Sequence, residues 1–120
     1  MKVIIDLIED IRSAINNDKD FSLRVMGLKE DKNAQFVPSW QSDLCSYKLD
    51  QKAKKLFIFL GQEEAINLGV FLDVLNVLEN EEMMYEVNIS YTKEGGRINS
   101  SLLGFGESLP EKKYLLFVEG

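Results

Sequence analysis

Near the start of the chain apolar residues recur at three- and four-residue spacing. Ile4, Leu7, Ile8, Ile11 and Ile15 share one side, and Asp6, Glu9, Asp10 and Ser13 take the other. That period lets a helix turn one face to a core, so residues 3–16 are predicted helical. The early acids suit a helix N-terminus, and Asn16-Asn17-Asp18 supplies the stop. From Phe21 the period falls to two: Phe21, Leu23 and Val25 alternate with Ser22, Arg24 and Met26, which predicts a half-buried strand over 21–28. Residues 29–33 read as a polar turn. Residues 34–43 read as irregular chain, with Val37 held extended by Pro38 and Trp40 available to anchor it.

Alternation returns over 44–49, where Cys45, Tyr47 and Leu49 share a face, and 50–53 looks like a hairpin connection. The unbroken apolar run Leu56–Leu60 fits a strand covered on both faces. Residues 62–80 read as a second helix opened by Glu63 and Glu64. Tyr85, Val87, Ile89 and Tyr91 then alternate with Glu86, Asn88, Ser90 and Thr92, and Lys93-Glu94-Gly95-Gly96 carries hairpin chemistry. Residues 97–105 pair back, Pro110 interrupts, and Tyr114–Val118 makes a last strand. The expected fold is α+β and a single domain over 1–120. Two helices pack on a mostly antiparallel sheet of about six strands, in the order α-β-β-β-α-β-β-β. The two αβββ halves share a layout but no sequence repeat.

Composition then narrows the chemistry. The chain has 120 residues, 45% of them hydrophobic, enough for one core. No apolar run approaches the roughly 20 residues of a membrane-spanning helix. Asp6, Glu9 and Asp10 interrupt any leader-like stretch, so a cytoplasmic location is expected. There is no His, the usual general base and commonest metal ligand. Cys45 sits on an apolar face with no His to activate it, and is expected to be a buried thiol. No spacing singles out a pair of carboxylates or a calcium loop. The Gly104-Phe105-Gly106 triplet lacks the third glycine and following helix that would cradle a phosphate. The basic cluster Lys48, Lys52, Lys54 and Lys55 contains Asp50 and reads as a solvated turn. These observations predict no enzyme activity, no cofactor and no metal.

Charge is segregated. Residues 1–60 hold 10 bases and 9 acids, whereas 61–120 hold 4 bases and 11 acids, and no Lys or Arg occurs from Leu56 to Thr92. A net charge of −6 argues against nucleic acid as a direct partner. Asp73, Glu79, Glu81, Glu82 and Glu86 are expected to form one negative surface around the end of the second helix, with Tyr85 or Trp40 as aromatic anchors. Such a surface steers a basic partner. The second helix is also unusually apolar. Leu68, Phe71, Leu72, Leu75 and Leu78 can fill the core, leaving Ile66, Val70, Val74 and Val77 to be covered by the rest of the chain or by a partner. A homodimer through this second face of helix 62–80 is one such cover.

Binding without catalysis is the function these features predict. The leading expectation is an inhibitor of another protein, of the kind seen in bacterial immunity proteins, which block the basic surface of a nuclease-type toxin. The alternative comes from element order. The predicted α-β-β-β-α-β-β start, small size and acidity resemble the type III secretion chaperone layout over residues 1–105. That resemblance implies a dimer masking an extended effector segment. The strand read over 114–118 stands where that family has a helix.

Overall fold

The structure is a computed structural model and describes residues 1–15 and 20–120. Its helices are α1 (Ile4–Ile15) and α2 (Leu68–Asn76), and Glu82–Met84 forms a 3₁₀ turn. The strands are β1 (Ser22–Glu30), β2 (Phe36–Ser42), β3 (Cys45–Asp50), β4 (Lys55–Leu60), β5 (Glu86–Lys93), β6 (Gly96–Ser101), β7 (Gly104–Ser108) and β8 (Lys113–Glu119). They form two four-stranded sheets, ordered β2-β1-β8-β7 and β3-β4-β5-β6. In each, two antiparallel hairpins meet through a parallel inner pair, β1 with β8 and β4 with β5.

The α+β class holds, but the single six-stranded sheet does not. One added strand is β2, read from the sequence as irregular. It is an outer strand that is mostly exposed, so it lacks an apolar alternation. Pro38 is accommodated at a register shift, where Gly27 faces Trp40 and Leu28 faces Pro38. The other arises because 97–105 is not one strand. The chain crosses between sheets at Leu102 and Leu103, with Leu102 buried at the crossing. The second helix is shorter than 62–80. Asn67 bridges to Ser22, Leu23 N–H donates to the Ile66 carbonyl at 2.9 Å, and Leu68 N–H to that of Phe21 at 2.9 Å. Those bonds hold 66–67 extended against β1, so the helix begins only at Leu68, with the Asn67 side chain accepting from Val70 N–H. The first helix matches its expected span, and the Asn16-Asn17-Asp18 stop lies outside the described residues. The observed order, α-β-β-β-β-α-β-β-β-β, also departs from the layout on which the chaperone resemblance rests.

That order is the same unit twice, and the hydrogen bonds repeat with it. One shift of 64 positions carries Val3 to Asn67 and Ser22 to Glu86, and the bridges are Val3 with Glu86 and Asn67 with Ser22. The same shift turns the Leu23-to-Ile66 bond into the Val87-to-Lys2 bond, at 3.0 Å, and Leu68-to-Phe21 into Ile4-to-Tyr85, also 3.0 Å. Parallel pairing repeats too, with the later strands of each unit related by a shift of 58: Leu23 faces Tyr114 in one sheet and Val87 faces Leu56 in the other. Both β4 and β8 are entered through a lysine at positive φ, Lys54 at 56° and Lys112 at 53°. Arg12 donates to Asn76 at 2.5 Å, and these two residues are themselves equivalent, so the internal twofold axis runs between α1 and α2. Equivalent positions share burial rather than identity: Ile4 and Leu68, Leu7 and Phe71, Ile11 and Leu75, Leu23 and Val87, Val25 and Ile89 are all buried. Both sheets and both helices contribute to this one core.

Candidate functional site

Helix α2 buries Leu68, Phe71 and Leu75, and Phe71 meets the Tyr47 ring edge-on with centroids 4.9 Å apart. Ile66, Leu72 and Leu78 pack half-buried at its margins. The described residues leave the remaining face exposed. Val70 is 61% exposed, Val74 38% and Val77 80%. Spaced four and three residues apart, these valines form one stripe, and Asp73 stands on one flank of it. On the other flank a hollow of about 100 Å³ opens between α2 and β3, lined by Val74 and Leu78 with Tyr47, Lys48 and Leu49.

The acids gather where α2 ends. Glu79 N–H donates to the Glu82 carboxylate at 2.8 Å, which begins the turn leading into the 3₁₀ segment. The Gln51 side chain also donates to Glu82, and Gln51 accepts from the Tyr85 hydroxyl at 2.8 Å. The Glu79 amide, and then Gln51, hold the Glu82 carboxyl below its usual range, so its charge persists into mild acid. Glu79, Glu81 and Asp73 are exposed. Burial, and then the charges of Glu81 and Glu82, push the Tyr85 hydroxyl up.

Three residues predicted for this surface lie elsewhere or are occupied. Tyr85 is 9% exposed and belongs to the core, so it offers a partner little ring surface. Glu86 is tied down on β5, with Lys55 at 3.6 Å and the Ser101 hydroxyl donating at 2.8 Å. Trp40 is on β2, in the other sheet, with its ring 5.0 Å from that of Tyr91. There it lines a cavity of about 550 Å³ where the two sheets meet, together with Ser42, Leu60, Tyr91 and Lys93. Reading along the chain cannot find this cavity, because strands from both sheets build it.

Cys45 is buried, and burial followed by the charge of Asp43 pushes its thiol up to about 11, which suppresses the thiolate. Among the described residues no helix is long and apolar enough to cross a membrane. No family model, no curated protein and no solved structure matches the chain.

Proposed function

We propose that this domain is a non-enzymatic protein-binding inhibitor. It holds a basic partner against the acidic, valine-bearing side of α2, in the manner of a bacterial immunity protein neutralising a nuclease-type toxin in the cytoplasm. The observation that carries this reading is the union, on one short helix and the turn after it, of three exposed valines with exposed Asp73, Glu79 and Glu81. Interfaces combine an apolar centre with a charged rim, and the rim sets the rate and choice of partner. A basic nuclease surface, which must attract phosphate, is complementary to that rim.

The test is the rate at which the chain associates with the protein encoded beside it, measured by stopped flow at low and high salt. Replacing Glu79, Glu81 and Glu82 together with Gln should slow association at low salt by about 10-fold or more. Denaturant midpoints should move little, because Gln keeps one carbonyl oxygen to accept from Glu79 N–H and the second bond, from Gln51, is solvent-exposed. An unaltered low-salt rate would refute the acidic-surface reading.

A further inference from the structure

The internal repeat supplies a control for the valine stripe. The shift of 64 positions places Asp6 where Val70 stands, Asp10 where Val74 stands and Ser13 where Val77 stands. Each helix also borders a groove against an outer strand, α1 against β7 and α2 against β3. The first groove is lined by Asp10, Ala14, Phe105, Gly106 and Glu107. The second is lined at the matching places by Val74, Leu78, Tyr47, Lys48 and Leu49. On α1, Asp6 accepts from Val3 N–H at 3.0 Å and Asp10 from the Tyr114 hydroxyl at 2.6 Å. The fold therefore calls for a helix and a groove at both places and is satisfied by carboxylates at one of them. Val70, Val74 and Val77 are all exposed, so packing of the core does not call for valine at these positions. An aliphatic stripe that folding does not require is accounted for by something that covers it.

We infer that the groove between α2 and β3 docks an amphipathic helix of the partner protein. Its apolar face would cover Val70, Val74 and Val77, and its basic residues would meet Asp73 and Glu79. This rests on the protein-binding reading above and deepens it by naming the segment that binds. Spacing supports a helix: the valines span about 10 Å along the axis, over which a second helix presents three residues of one face at the same intervals. Charge supports a basic one. Asp73 flanks the stripe, Glu79 and Glu81 follow it, and no Lys or Arg occurs from Leu56 to Thr92. Lys48 stands across the groove on β3, on the flank opposite Asp73, so the helix would turn its basic side away from β3.

The test uses the full chain and two synthetic peptides of identical Leu and Lys content. One places Leu at helical spacing and the other in strict alternation. Binding is read by fluorescence anisotropy and by methyl and amide NMR shifts. The helical peptide should bind and move the signals of Val70, Val74, Val77 and Leu78. Val70→Asp with Val74→Asp should weaken it on the order of 100-fold, the burial of two valines converted at tenfold per 1.4 kcal/mol. Both positions are exposed, Val70 at 61% and Val74 at 38%, so the fold should survive, and a thermal melt checks that. Val70→Ser with Val77→Ser should weaken binding too, without adding charge.

Shifts confined to Glu79–Glu82, with the aspartate pair binding normally, would overturn the docking groove and leave the acidic reading standing. No binding of the helical peptide, while the basic partner is still captured through Glu79, Glu81 and Glu82, would do the same. Equal binding of the alternating peptide with shifts along β3 would make the occupant a strand added to that edge, and would overturn the helix. Valine signals that depend on protein concentration, with a sedimenting dimer that the aspartate pair dissolves, would make it a second copy.

Discussion

Tyr114 is fully buried on β8, and its hydroxyl donates to the Asp10 carboxylate of α1 at 2.6 Å. Burial, then the bond to Asp10, drives the phenol far above its ordinary range, which keeps its hydroxyl protonated as a donor. Removing that donor with Tyr114→Phe keeps the ring and its packing. A hydrogen bond to a charged acceptor contributes about 1.5–3 kcal/mol. Asp10 is half-buried and lines an open groove, where water can replace the lost donor, so the lower end applies, about 1.5 kcal/mol. For a domain of this size that corresponds to roughly 5–7 °C in Tm. Asp10→Val should cost more, about 2–3 kcal/mol, because it leaves a buried hydroxyl without a partner.

The other half of the repeat predicts what both changes do together. At the equivalent places stand Leu56 and Val74, an apolar pair that the same fold accepts. The double variant should therefore cost less than the sum, with a coupling of about 1–2 kcal/mol in a double-mutant cycle. Urea unfolding of the four proteins at one pH measures it. Additivity within about 0.5 kcal/mol, or a Tyr114→Phe variant as stable as the parent, would refute the reasoning.

Three further outcomes are expected. A Cβ on Gly27 would fall inside van der Waals contact with the Trp40 indole, whose ring also packs against Tyr91. Gly27→Ala should destabilise by about 1–3 kcal/mol and shift tryptophan emission, and an unmoved spectrum at full stability would contradict this packing. Asp43 receives Arg24 Nε–H at 2.6 Å and lies 3.6 Å from the Lys113 ammonium, and the Arg24 bond holds its carboxyl below the ordinary 3.8. Its contribution is full above that value and is lost as pH falls through the lower folded-state pKa. Asp43→Asn should thus be less stable than the parent at about pH 6, by a gap that narrows as pH falls below 3.8, whereas a constant gap would show that the charge contributes nothing. Native Cys45, with its thiol near 11, should react with a disulfide reagent at neutral pH only as the fold opens, and rapid labelling without denaturant would contradict its burial.

Much of the local structure is legible in the residues themselves. The three-and-four spacing of Ile4, Leu7, Ile8 and Ile11 makes α1, the alternation Val87-Ile89 makes β5, and the run at Leu56–Leu60 makes β4. Such patterns record which side of a short element meets a core. The surplus of apolar residues on the second helix is also readable from composition, because nine residues cannot hide so many aliphatic side chains on one face. Strand β2 escapes this reading because an exposed outer strand needs no alternation, and the true start of α2 escapes it because distant β1 holds residues 66–67 extended.

Partnership between elements was decided in three dimensions. The pairing of β1 with β8 and of β4 with β5 joins segments far apart in the chain, and no local period encodes it. The twofold repeat is invisible in the residues because burial constrains hydrophobicity and volume, not identity, so Ile4 and Leu68 can do the same work. Whether Val70, Val74 and Val77 are covered, and whether Tyr85 and Trp40 stand beside the acids, depended on that assembly. A side chain's exposure is a property of its neighbours, and here those neighbours come from the other half of the molecule.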